Sequence, residues 1–310
     1  MIAKPRILAL YYTQSGQLKD ILDSLFSMVL PSIEIDYVAI EPQQAFPFPW
    51  TATTFFDAMP ESVEHLPAPI HPLPNEVFQK EYDLIILGYQ PWFLNPSQPI
   101  TAFLQSDDAR ILNGKRVITV IGCRNMWLHA QEKVKQYLIQ NQATLIGNIC
   151  LFDTNTNIIS TLTVIRWTFT GQKEAGRWLP AAGVQDNDIQ ESSRFGKIIL
   201  SCWQLHQLNN LQDHLIETGA IKLDPGLVLL EQRGIKNFRF WSKYIREKGG
   251  SGARQRQSRV LLFKRLLIVG IFILSPISSF AAFIKLQFHK KRLSKDVDYF
   301  KGISFESNRI

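Results

Sequence analysis

Apolar positions along the chain fall into two alternating patterns. Arg6 to Tyr12 (RILALYY), Asp83 to Tyr89 (DLIILGY), Val117 to Gly122 (VITVIG) and Thr144 to Phe152 (TLIGNICLF) are short and nearly continuously apolar. Runs of this length that stop at polar or glycine-containing loops predict strands covered on both faces. Ile33 to Ile40 (IEIDYVAI) alternates apolar with charged residues at its start, which predicts a strand near the sheet edge with one wet face. Between these runs the spacing changes to three and four: Leu18, Ile21, Leu22, Leu25, Phe26 and Val29 form one helical stripe, and Ala130, Val134 and Leu138 another. The order βαβαβαβαβ predicts an α/β fold with a doubly wound, five-stranded parallel sheet.

Two regions depart from that alternation. Residues 42–74 hold eight prolines around the sequence Phe46-Pro47-Phe48-Pro49-Trp50, a density that forbids a long helix and leaves room only for a short one over Thr51 to Met59. After Phe152 the pattern is less regular. Ile158 to Thr170 reads as helix or strand, Glu191 to Leu215 as a helix interrupted by Gly196, and Leu227 to Leu230 as a short strand. The expected organisation is a first domain over 1–153 with an insertion at 42–74, and a mostly helical extension over 154–237. A basic aromatic region (238–265), an apolar segment (266–284) and a basic tail (285–310) follow.

Charge sharpens this division. Residues 1–240 carry 19 Lys or Arg against 23 Asp or Glu, and the remaining residues 15 against 4. A basic end beside an apolar run points to lipid headgroups rather than nucleic acid. Leu266 to Ile284 contains no charged residue and is fenced by Lys264-Arg265 and Lys285, a length that suits a transmembrane helix. Ser275-Pro276 at its middle keeps a re-entrant hairpin open as the alternative, because proline can kink a helix there. Phe238, Phe240, Trp241, Tyr244 and Ile245 interleave with Arg239, Lys243 and Arg246, a mixture suited to a headgroup layer or to a helix closing the domain. The opening residues, a short apolar run ending at Thr13, predict no secretory leader, and Cys123, Cys150 and Cys202 show no metal or disulfide spacing. The expected location is therefore the cytoplasmic face of the inner membrane, with no metal site.

The chemistry concentrates in loops at the carboxyl ends of the strands, where an open parallel sheet binds its ligand. Thr13-Gln14-Ser15-Gly16-Gln17 precedes the first helix, so a phosphate there meets unpaired N–H groups and the positive end of the helix dipole. Neither G-x-G-x-x-G nor G-K-[ST] is present, which removes the dinucleotide and P-loop readings. Gln90, Pro91, Trp92 and Phe93 after the third strand, and Gly122, Arg124, Asn125 and Trp127 after the fourth, offer ring-stacking and amide or guanidinium groups for a flat heterocycle. His129 and Asp57 are base candidates by loop position, and Cys123 is a candidate thiol.

Tyr12 to Gln17 resembles the FMN phosphate loop of flavodoxins and flavodoxin-like quinone reductases, and Asp83 to Leu104 resembles their second flavin loop. That resemblance implies a flavodoxin-like sheet in the order 2-1-3-4-5 and FMN as cofactor. The stretches Phe46 to Trp50, Gly88 to Leu94 and Gly122 to Trp127 resemble signature stretches of the DarA-type dialkylresorcinol condensing enzymes. This closer resemblance implies a flavin-dependent condensing or aromatising role in dialkylresorcinol and flexirubin-type biosynthesis. It also implies a lipophilic cyclic dione as substrate, with membrane lipids and a ketosynthase as partners. Other classes consistent with the sequence are a non-catalytic membrane scaffold for the ketosynthase and a quinone-type flavin reductase or electron carrier.

Overall fold

The computed structural model describes residues 4–223, 225–274, 290–307 and 309. Five strands, β1 (Arg6–Tyr11), β2 (Glu34–Ala39), β3 (Leu84–Tyr89), β6 (Arg116–Cys123) and β7 (Thr144–Phe152), form one parallel sheet in the order β2-β1-β3-β6-β7. Among themselves the sheet strands therefore run second, first, third, fourth, fifth. The difference from the expected set is an extra hairpin, β4 (Pro91–Trp92) with β5 (Asn95–Pro96), inserted between the third and fourth of them.

Burial follows the sequence pattern. Every residue of β3 is buried, whereas β2 at the edge is mostly half-exposed. One face is covered by α1 (Gln17–Ser27), α8 (Ser193–Gln204) and α9 (Leu211–Glu217), whose Leu22, Leu25, Phe195, Ile199 and Leu215 pack on Ile7, Ile86 and Val120. The other face is covered by α4 (Gln98–Gln105) and α5 (Leu128–Gln140), with Phe103, Leu104, Val134 and Leu138 against Leu8, Leu87 and Ile121.

Asn157–Thr170 is a helix, α6, which decides between the two conformations its pattern allowed. Other expectations change: Leu227 to Leu230 lies inside a long helix, α10 (Pro225–Arg246), rather than in a strand. Gly196 does not interrupt its helix. It sits inside α8, buried against α1, where an added Cβ would lie 2.0 Å from the Leu25 carbonyl oxygen. The expected long helix instead breaks over 205–210, between α8 and α9.

The proline-rich insertion carries α2 (Ala52–Asp57) and α3 (Met59–Val63), against which α10 and α11 (Gln257–Val269) pack in an aromatic cluster. A short α7 (Asp186–Glu191) joins α6 to α8, and α12 (Lys290–Lys301) returns to the sheet domain. Among the described residues no helix is long and apolar enough to cross a membrane. The first part of the apolar segment, to Leu274, continues α11 in a π-helical turn, and its second part, 275–284, lies outside the described residues.

Candidate functional site

The carboxyl ends of β1, β3 and β6 bring three loops together at the place where strand order reverses, since β1 pairs with β2 on one side and β3 on the other. In the first loop Gly16 caps α1 with φ 87°, a left-handed conformation that favours glycine, and an added Cβ would meet nothing within 4 Å. The loop is thus bent and open above the helix terminus. The Thr13 hydroxyl accepts from the Leu18 N–H at 3.4 Å. Among the described residues no protein acceptor is found for the backbone N–H groups of Ser15, Gly16 and Gln17. Orphan donors at the positive end of a helix are the chemistry a phosphate monoester requires.

Not every residue of this loop faces a ligand. The side chain of Gln17 is buried and clamps Val184, donating to its carbonyl and accepting from its N–H, both at 3.0 Å. Gln14 turns the other way. Its Nε2 donates to the Phe46 and Pro47 carbonyls at 3.0 Å, it accepts from the Tyr12 hydroxyl, and its own N–H donates to Gln90 Oε1 at 3.4 Å. Gln14 therefore ties the proline-rich insertion to the phosphate-type loop and the loop after β3.

In that second loop the hairpin places Phe93 and Leu94 at φ 49° and 68°, so both turn residues are left-handed, a backbone that usually calls for Gly or Asn. Two bonds hold it. Asn95 Nδ2 donates to the Phe93 carbonyl at 2.8 Å, and His129 Nδ1 lies 3.0 Å from the Leu94 carbonyl. Trp92, half-buried, meets Tyr12, Phe46 and Trp50 edge-on, with ring centroids 5.8, 4.9 and 5.4 Å away. Pro91 pairs with Pro96 on the same hairpin.

The third loop is fastened to α6. Arg124 Nη1 donates to Asn157 Oδ1 at 3.1 Å and to the Thr161 hydroxyl, and Asn125 Nδ2 donates to Asn157 Oδ1 at 3.2 Å. Burial lowers the Arg124 pKa, opposed by the nearby Asp153 carboxylate. Asn125 Oδ1 is buried with no partner among the described residues, an orphan acceptor that a heterocycle N–H would satisfy. Gly122 faces Leu18 and Ile21 of α1, so its missing side chain serves the approach of helix to sheet. Trp127 is buried in the core rather than presented at the edge.

The base and thiol candidates lie elsewhere than loop position implied. His129 is buried between the Leu94 carbonyl and Arg239 Nη2, which is 3.0 Å from its Nε2. An arginine only donates, so Nε2 accepts and Nδ1 carries the proton. Burial, reinforced by the charge on Arg239, holds its pKa down to about 3. Asp57 is buried in an ion pair with Arg256 (2.7 Å) and accepts from the Gly252 N–H at 2.8 Å. Cys123 Sγ lies 3.8 Å from Cys150 Sγ, both thiols are free, and burial pushes the Cys150 thiol well up.

Sequence reading missed Glu231. This fully buried α10 carboxylate accepts from the His129 N–H at 2.6 Å, capping α5, and burial raises its pKa to about 7. Its Oε2 has no partner among the described residues. Nothing local marks a glutamate 102 residues away as a helix cap. Among the described residues no cluster of His, Cys, Asp or Glu could hold a metal.

No family model and no curated protein matches the sequence. Solved structures that are similar include a flavoprotein in complex with FMN from Lactobacillus acidophilus NCFM, at 18% identity and TM-score 0.38 over 47% of this chain and 93% of that one. Two-electron reduced Megasphaera elsdenii flavodoxin is similar at 18% identity and TM-score 0.31, over 49% of this chain and 89% of that one. RosB with a bound formylated riboflavin phosphate intermediate is similar at 13% identity and TM-score 0.35, over 74% of this chain and 86% of that one. The sheet assignment rests on the strand order of this chain itself, which is that of a flavodoxin-like doubly wound fold.

Proposed function

We propose that this protein is a membrane-associated, FMN-dependent enzyme that completes the ring of a dialkylresorcinol-type lipid from a ketosynthase-derived cyclic dione, at the cytoplasmic face of the inner membrane. One observation carries the lipophilic substrate. An unbroken aromatic series runs from the candidate flavin edge to α11: Trp92 to Trp50 (5.4 Å), Trp50 to Phe55 (5.7 Å), Phe55 to Phe93 (4.9 Å), Phe93 to Phe238 (5.9 Å) and Phe238 to Phe263 (6.0 Å). Phe55, Phe93 and Phe238 are only half-buried, so this strip is an apolar surface along which alkyl chains could lie.

The residues present fit the cofactor. The open, orphan-donor bend at Ser15 to Gln17 would hold the phosphate, with the Thr13 and Ser15 hydroxyls beside it. Gln90 and the unpartnered Asn125 Oδ1 would meet polar ring edges, and Trp92 would wall the ring. The Nε and Nη2 of Arg124 are not spent on α6, so its charge would offset negative charge beside them. Bound FMN supplies a two-electron acceptor. His129 and Asp57 position loops in this reading and take no proton from substrate.

Detergent-solubilised protein is expected to be yellow and to release FMN on heating, and Gly16→Val is expected to lose the flavin while keeping its circular dichroism. A left-handed valine is disfavoured by about 1–2 kcal/mol and its side chain would fill the cradle. Colourless wild-type protein that gives no heat with added FMN in calorimetry would overturn the redox reading.

A further inference from the structure

The end of α11 and the return of the chain in α12 together restrict how a bilayer can be met. At its root α11 is packed: Val260 and Phe263 are buried against Phe56 and Ile245. Further along, the covering thins to Leu267, which is half-buried against the same cluster. Leu261, Leu262, Leu266, Ile268, Val269 and Phe272 are each 40–47% exposed, and at 100° per residue Leu266, Ile268, Val269 and Phe272 project from more than one side of the helix. An apolar tip without a polar face is unlike a surface helix of a water-soluble domain.

Charge complements an anionic surface. Residues 248–295 contain eleven Lys or Arg and no Asp or Glu. Of these, Arg256 is committed to Asp57 and Glu61, and Arg259 to Glu247. Lys264 and Arg265 stand beside the tip, one half-buried and one exposed.

The chain then comes back. On α12 Leu293 is buried, and Val297, Tyr299 and Phe300 are buried in the cluster that covers the α5 face of the sheet. The Tyr299 hydroxyl donates to Glu132 Oε2 at 2.6 Å, Lys135 Nζ to the Ser304 carbonyl at 2.9 Å, and Gln212 Nε2 to the Lys301 carbonyl at 2.6 Å. Glu132 and Lys135 belong to α5, and Gln212 to α9. The tail is thus bonded to both layers of the domain that carries the candidate flavin loops.

We infer that the α11 tip is a monotopic docking surface for an anionic phospholipid leaflet, with the chain on both sides of it held on the same side of the membrane. This deepens the membrane-associated reading above and rests on it. Only 23 residues separate Leu266 from Lys290. Crossing the hydrocarbon core once takes about 20 helical residues. Those 23 residues are too few to cross twice as helix, and α12 is bonded back onto the domain from which α11 leaves.

The test uses the full chain carrying one epitope tag at each end, added to sealed vesicles of phosphatidylethanolamine with phosphatidylglycerol. Flotation comes first: the protein is expected to float with the vesicles, and failure to float would overturn the membrane reading itself. Externally added protease is then expected to remove both tags from the floated protein. A carboxyl-terminal tag that survives until detergent is added would overturn the monotopic inference while leaving membrane association standing. The double variant Leu266→Lys with Phe272→Lys, both in exposed positions, is expected to lose vesicle binding roughly tenfold or more with an unchanged thermal transition; undiminished binding would overturn the tip as the docking surface.

Discussion

His129 Nδ1 lies 3.0 Å from the carbonyl oxygen of Leu94, and Leu94 is one of two adjacent residues held at positive φ. The histidine that loop position nominated as a base is therefore a strut for the hairpin bearing Trp92 and Phe93. It is locked neutral because Arg239 donates to its other nitrogen.

That lock has a pH signature. With the folded pKa held down to about 3 by burial and then by Arg239, the unfolded chain takes up a proton as pH falls below about 6.5 while the folded chain does not. Stability contributed by neutral His129 is lost on acidification, by about 2 kcal/mol between pH 7 and 5. His129→Gln, whose amide can still donate to Leu94 and accept from Arg239, is expected to abolish this loss; urea unfolding at the two pH values measures it.

Glu231 works in the opposite sense. Burial raises its carboxyl to about 7 despite the bond from the His129 N–H. Its contribution is full below about pH 4.5 and is lost as pH rises to about 7, by about 3 kcal/mol in all. Glu231→Gln should remove that decline, leaving a thermal midpoint that climbs more steeply between pH 4.5 and 6.5 than the wild type's, where the two residues oppose each other.

Arg256 is fully buried and bonds both Asp57 and Glu61, joining α11 to the proline-rich insertion. Arg256→Ala strands two buried carboxylates and is expected to cost about 3–5 kcal/mol. Asp57→Asn should also destabilise yet leave FMN retention per folded molecule unchanged, as read by absorbance after desalting; loss of flavin in a folded Asp57→Asn protein would return Asp57 to the site.

Gly196 allows α8 to touch the α1 backbone at Leu25. Gly196→Ala inserts a methyl group where there is no space, and overpacking of this kind is expected to cost about 1–3 kcal/mol or more. Chemical denaturation would show it, and an unchanged midpoint would mean that the two helices separate freely.

The amino-acid sequence alone determined the sheet strands, the helix after the first strand and the open glycine bend between them. Each follows from a periodicity or turn chemistry contained within about ten residues. It also marked the three loops that the parallel sheet gathers, though not which of their side chains face outward: Gln17 and Trp127 turned inward, while Arg124 was drawn to Asn157 and Thr161. Only the tertiary structure decided the roles of His129, Asp57 and Glu231, the place of Gly196 inside a helix, and the docking of α12 on α5. Those outcomes depend on which distant groups share a buried volume, such as Glu231 with the His129 N–H or Asp57 with Arg256. Burial and partnership across a hundred residues or more leave no periodic mark in the chain.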